Sequence, residues 1–246
     1  MKKSLLPLFI IAIFWHLLCY LTIVDPAFFP TPLSIFKNTF MLLSRDHLLI
    51  QVYYSLKRLI IAFGLSAPLA IVLAMVVAHF KKIDDFINPI VAFTFPLPKV
   101  ALYPLLLLIF GIDDLSKIAL IGVGIFYLIF INLRVGIKSL LNGQANDVVK
   151  IYKLDNVNYL WNFLLKGSQL ELLTGLKLGL NYGLTLVVVS EFSTSNNGIG
   201  YYIWRSWDQF KIINVYSGIL VLSLVGLIFY FFFNYLIDRA QKNMII

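Results

Sequence analysis

The apolar residues of this chain fall into runs that a water-soluble core does not need. They cover about 5–24, 53–79, 86–110, 117–137, 170–192 and 213–237, separated by short charged or proline-containing breaks. About 20 apolar residues in helical conformation cross the hydrocarbon of a bilayer. The pattern predicts an all-α, polytopic membrane protein of about six transmembrane helices in one domain spanning 1–246. Residues 33–50 are mixed and amphipathic and are expected to lie along the membrane surface. Residues 193–211, with Ser195-Asn196-Asn197-Gly198 and aromatic positions from Tyr201 to Trp207, are expected to form a polar loop.

The runs differ in character. That at 86–110 carries Pro96, Pro98 and Pro104, and each proline removes a backbone donor and crowds the preceding turn. In hydrocarbon the freed carbonyls need partners, so this helix should be broken and packed inside protein or against a cavity. It is the expected pathway-lining helix. Lys99, among the prolines, has two readings: a charge lining a cavity, or one satisfied by snorkelling or by carbonyl oxygens. The run at 170–192 holds Gly175, Gly179 and Gly183, whose four-residue spacing puts them on one face for close helix packing. The apolar N-terminal stretch is longer than a signal peptide's, and no small-x-small cleavage site follows, so it reads as a retained first helix.

Composition agrees: 60% of the 246 residues are hydrophobic and 13% charged, against about a quarter charged in an ordinary soluble domain. The net charge of +8 would suggest nucleic acid in a soluble protein. Here Lys and Arg cluster at the ends of apolar runs, as in loops facing anionic lipid, so no nucleic-acid partner is expected. Placing the N-terminus inside puts Lys81-Lys82, the basic stretch 138–168 and the C-terminus on the cytoplasmic side, a moderate bias for N-in and C-in.

Much chemistry is missing. One cysteine, Cys19, and three dispersed histidines give no disulfide framework and no metal-ligand spacing. Phosphate-loop and hydrolase motifs are absent, so neither a cofactor nor a catalytic residue is expected. Only two glutamates occur, Glu171 and Glu191, and intramembrane acids are the usual means of ion coupling. Energy for uphill transport would then enter from another polypeptide. The stretch 139–168 has the position and the amphipathic character to dock one, with short helices expected around 145–153 and 157–165. A basic loop resting on lipid is the plainer alternative.

Several segments together resemble a known family. Pro30-Thr31-Pro32, Ser55-Leu56-Lys57-Arg58 with Phe63-Gly64, and Phe95 to Ala101 with Pro104-Leu105 and Phe110-Gly111 occur in order. Thr174-Gly175-Leu176-Lys177 and Val188-Val189-Ser190-Glu191 with Gly198-Ile199-Gly200-Tyr201 follow. This order is similar to that of the permease subunits of bacterial ATP-binding cassette importers, in the nitrate, sulfonate and taurine branch that also holds thiamine-precursor permeases. The resemblance covers about 30–240 and implies a type I importer (MetI-like) permease fold with its core at about 50–240. It further implies a second permease subunit in a homodimer, ATPase subunits, and an extracytoplasmic solute-binding protein. Pathway residues would be Pro96, Pro98, Lys99, Pro104 and Glu191.

The family's coupling signature, Glu-Ala-Ala followed by Gly and then Leu-Pro, aligns with Asp147-Val148-Val149, Lys153 and Leu165-Lys166. The acid is kept as Asp, while the small residues, the glycine and the proline are not. Asp155-Asn156 can supply the turn that Lys153 does not favour. This departure motivates a second reading, a diverged permease-like scaffold or regulatory subunit without an ATPase. A third is an independent secondary transporter.

Overall fold

The computed structural model describes residues 6–44, 47–143 and 159–244. Among them helices α1 (Leu6–Tyr20), α2 (Pro32–Ser44), α3 (His47–His79) and α4 (Lys81–Thr94) come first. A 3₁₀ turn (Lys99–Leu102), α5 (Tyr103–Phe110) and α6 (Asp114–Asn142) follow, then a π-helical segment (Tyr159–Leu165), α7 (Gln169–Thr194), α8 (Ile199–Asp208) and α9 (Ile212–Met244). No strand occurs among the described residues. Among the described residues, four stretches are long and apolar enough to cross a membrane: Leu48–His79, Asp114–Asn142, Gln169–Phe192 and Ile212–Lys242. The pair Lys81–Thr94 and Lys99–Phe110, bent by 93°, makes a fifth if counted as one span.

The described part of the first helix is shorter than the run at 5–24. It has 15 residues, about 22 Å of helix, and ends before Thr22, whose φ of 53° turns the chain away. Phe9, Ile10, Phe14 on α1 and Phe231 on α9 are largely exposed, as side chains bathed in lipid would be.

The chain divides into two compact units. One comprises Lys57–Ser190 and Gly226–Ile246. Its axis is α6, where Ile121, Ile125, Ile129, Leu133 and Ile137 recur every fourth residue and are fully enclosed. Such a ridge needs a flat partner. On α7 the glycines provide it: a Cβ on Gly175 would stand 3.1 Å from the Cα of Ile129, and one on Gly179 would stand 3.2 Å from the Ile125 carbonyl oxygen. On Gly183 a Cβ would press at 2.8–3.0 Å on Leu59 and Ile125 side chains. On α3, Ala62, Ser66, Ala70, Ala74 and Ala78 make a second small-residue stripe, buried along its length. Ser66 lies against α6, its Oγ 2.8 Å from where Gly122 would carry a Cβ. Without a hydrophobic drive between helices in lipid, close packing of this kind supplies much of their attraction.

The other unit comprises Met1–Leu56 and Glu191–Val225. Here Thr31 starts α2, its Oγ1 accepting the Ser34 N–H at 3.2 Å, with Pro32 at the first helical position where a missing donor costs nothing. Asn38 on α2 donates to Asn214 Oδ1 and Ser217 Oγ on α9, both at 2.9 Å. The expected polar loop at 193–211 is instead largely helix α8, set between two turns.

Candidate functional site

The break in the third apolar run follows directly from its prolines. In a continuous helix the carbonyls of Ala92 and Thr94 would accept from the amides of residues 96 and 98, and both are prolines without an N–H. Helix α4 accordingly ends at Thr94. Lys99 takes over the orphaned end: its Nζ donates to the carbonyls of Thr94 at 2.6 Å, Leu97 at 3.1 Å and Phe95 at 3.3 Å. The same ammonium stands 4.1 Å from the centroid of the Tyr127 ring. Lys99 is only 7% exposed, so of its two readings the carbonyl-bonded one describes its contacts. A cation here also faces the negative end of the α4 macrodipole. Tyr127 ties α6 to the break, donating to Val91 O at 3.1 Å and bonding to the Thr94 hydroxyl. Pro104 does not break anything. It occupies the first turn of α5, where its missing N–H is tolerated, beside Tyr103, whose hydroxyl donates to Ser190 O at 3.0 Å.

Glu191, in the other unit, is wholly enclosed. Its carboxylate accepts from Ser55 Oγ at 2.8 and 2.9 Å and from the Gly200 N–H at 2.9 Å. Ser55 Oγ in turn accepts the Ile199 N–H at 2.8 Å, and Gln51 Oε1 accepts the Gly198 N–H at 2.7 Å. Three consecutive orphan donors at the start of α8 are thus satisfied by side chains from α3 and α7. The negative carboxylate also sits at the positive end of the α8 dipole. Sequence reasoning passed over Gln51 and noted Ser55 only within a family-like segment, because nothing local marks a cap delivered from far along the chain.

A third cluster, in the unit built on α6, was also missed. Asp84 on α4 receives Arg134 Nε and Nη2 at 2.5 Å and Lys138 Nζ at 2.6 Å. Arg134 Nη2 also donates to Asn88 Oδ1 at 3.0 Å. Arg134, a charge deep in an apolar run, was the available signal, since such residues are rare in spans and face a partner. Nearby, His79 Nδ1 and the Tyr159 hydroxyl are 2.9 Å apart. Burial holds the Tyr159 phenol above its ordinary pKa, so it stays protonated and able to donate.

Of the expected coupling residues, Asp147, Val148, Val149, Lys153 and Asp155 lie outside the described residues. Leu165 closes the π-helical segment Tyr159–Leu165, which occupies most of the second short helix expected there. Pro96, Pro98, Lys99 and Pro104 cluster at one break, and Gly175, Gly179 and Gly183 share the α7 face against α6. No group of residues suited to holding a metal occurs among those described.

Residues 66–244 match the model of a family described as the binding-protein-dependent transport system inner membrane component. A Bacillus subtilis protein provisionally named an aliphatic sulfonates transport permease is 28% identical over 226 residues, covering 92% of this chain and 81% of that protein. The nitrate import permease of a Synechocystis strain is 24% identical, covering 95% and 88%. The taurine transport system permease of Escherichia coli is 24% identical, covering 86% and 78%. The matched region contains Ser66, Ala70, Ala74 and Ala78 of the α3 stripe, the proline break, the α7 glycines, and Glu191 with the start of α8; Ala62, Gln51 and Ser55 precede it. This chain therefore belongs to the family of binding-protein-dependent transport system inner membrane components, as a multi-pass importer permease of the nitrate, sulfonate and taurine branch.

Proposed function

We propose that the chain forms the translocation pathway of an ATP-driven importer for a small polar or anionic solute, of the nitrate, sulfonate, taurine or thiamine-precursor kind. It works as one half of a homodimer, with separate ATPase subunits and an extracytoplasmic binding protein. Both termini are cytoplasmic, and the segment 139–168 docks the ATPase through Asp147, Val148, Val149, Lys153, Asp155 and Leu165. The observation that carries this reading is the break at Pro96–Pro98. Non-helical backbone at membrane depth is tolerated only where protein buries it or where it lines a water-filled cavity. Pro96, Pro98 and Pro104 are exposed and on this reading border the path, while the enclosed Lys99 holds the break together behind them and Glu191 contributes by fixing the start of α8. Relatives named for nitrate, sulfonate, taurine and formylaminopyrimidine transport support the solute class.

Affinity purification of the chain in detergent, followed by identification of co-purifying proteins and reconstitution in liposomes, tests this. An ATP-binding cassette ATPase is expected to accompany it and to drive solute uptake. Absence of both would favour the scaffold reading, which the altered coupling signature motivates. Asp147→Lys should weaken ATPase association while leaving membrane insertion unchanged.

A further inference from the structure

We infer that the basin beside Arg205 and Lys211 is a binding site for a small solute carrying an oxyanion group, such as a sulfonate or nitrate. The basin encloses about 530 Å³ in the unit containing α8 and is lined by Gln51, Tyr201, Arg205, Gln209, Lys211 and Asn214 among others, with no carboxylate in its wall. Neither Arg205 nor Lys211 forms an ion pair among the described residues. Two of the three amides in the wall agree. Gln51 spends its oxygen on the Gly198 N–H, and Asn214 spends its oxygen on Asn38 Nδ2. With each oxygen already engaged, the NH₂ group is what each most readily offers, a donor. The wall therefore carries two cations, amide and hydroxyl donors and no carboxylate, which suits an oxyanion.

The arrangement is built in advance. Arg205 bonds to the Tyr201 hydroxyl one helical turn away, and its guanidinium lies 5.7 Å from that ring. Lys211 is brought back over α8 by a Schellman turn: its N–H donates to Ser206 O at 2.8 Å and the Phe210 N–H to Trp207 O at 2.9 Å. The left-handed residue of that turn is Phe210, at φ 55°, where glycine is usual. A bulky residue held there is strained. The strain is accepted while Lys211 and Arg205 are kept on one rim.

This assignment rests on the importer reading only for the side of the membrane the basin faces, which is the outer one. The test uses the full-length chain alone in lipid nanodiscs, so it needs no ATPase. Calorimetric titration with methanesulfonate and with nitrate should show one saturable site that weakens with added salt, whereas uncharged dimethyl sulfone should not bind. Arg205→Gln and Lys211→Gln should each weaken binding about tenfold or more, with Arg205→Lys recovering part of it. Thermal melting of each variant separates lost binding from lost fold; a variant that melts early is replaced by Lys211→Met or Arg205→Met. Equal binding of dimethyl sulfone, no saturation by either anion, or unchanged binding in the folded variants would overturn the assignment. So would variants that lose only association with a solute-binding protein, since the basin would then be a protein contact. A missing ATPase together with no ATP-driven uptake in the experiment above would sink the importer reading and leave this titration intact.

Discussion

A Cβ on Gly198 would stand 2.2 Å from the carboxyl carbon of Glu191. The two residues exclude any other choice at position 198, for Gly198 also has φ of 111°, a conformation that side chains rarely adopt. Gly198→Ala should therefore both strain the backbone and displace a buried carboxylate, costing about 3 kcal/mol. Thermal melting in detergent measures it, and a melting point equal to the parent's would contradict the capping geometry. Glu191→Gln keeps the shape but replaces one acceptor oxygen by an NH₂, so either the Gly200 N–H or the Ser55 hydroxyl meets a donor, and should cost about 1–3 kcal/mol.

Lys99 bonds the carbonyls gathered where the prolines end α4. Lys99→Met keeps the stem and removes the donors, so the oxygens of Phe95 and Leu97 lose the ammonium that bonds them, and Thr94 O is left with the Leu97 N–H at 3.3 Å. A loss of about 2–4 kcal/mol is expected from such unsatisfied buried groups. Because the break borders the proposed path, uptake in liposomes should fall with it. Full stability in the methionine variant would show that these carbonyls have other partners.

The glycine face of α7 gives a graded comparison. Gly175→Ala places a methyl 3.1 Å from main-chain Ile129, which cannot move aside without moving α6. Gly64→Ala meets nothing within 4 Å. The first should destabilise by about 1–3 kcal/mol. The second should be neutral or stabilising by up to about 1 kcal/mol, since alanine suits a helix better than glycine. Paired melts of the two variants check the ordering; equal effects would refute close packing at Gly175.

Asp84 balances two cations. Asp84→Asn leaves Arg134, which is buried, without its counter-charge and should cost about 3–5 kcal/mol. Lys138→Gln should cost about 1 kcal/mol at most, because the Lys138 side chain is 40% exposed and water replaces its partner. Chemical unfolding of both variants in the same detergent decides it, and a larger loss at Lys138 would reverse the assignment.

What the sequence displays well is whatever acts locally. The prolines at 96 and 98 announce a break because the missing N–H is a property of the residue itself. The α7 glycines announce a packing face because helical geometry fixes which residues share a side. The stripe Ala62, Ser66, Ala70, Ala74 and Ala78 was equally legible and went unread inside a uniformly apolar run. Helix α8 was not legible. Its Ser-Asn-Asn-Gly prelude and polar residues suit a loop, and its start is stabilised by Gln51, Ser55 and Glu191, which only the fold assembles. The Asp84–Arg134–Lys138 cluster likewise joins residues 50 and 54 positions apart.

Lys99 has an electrical consequence. Its ammonium rides on the bent segment between α4 and α5, and if that pair makes one span, as the proposed function has it, the charge sits inside the region that the membrane potential spans. Any displacement of that segment along the membrane normal carries charge through the field. A full crossing by one elementary charge amounts to about 2.3 kcal/mol per 100 mV, and a partial movement to the corresponding fraction. In a homodimer the two copies would move together and double the charge. A transport cycle that shifts this segment would run at a rate set partly by voltage, even with ATP as its energy source.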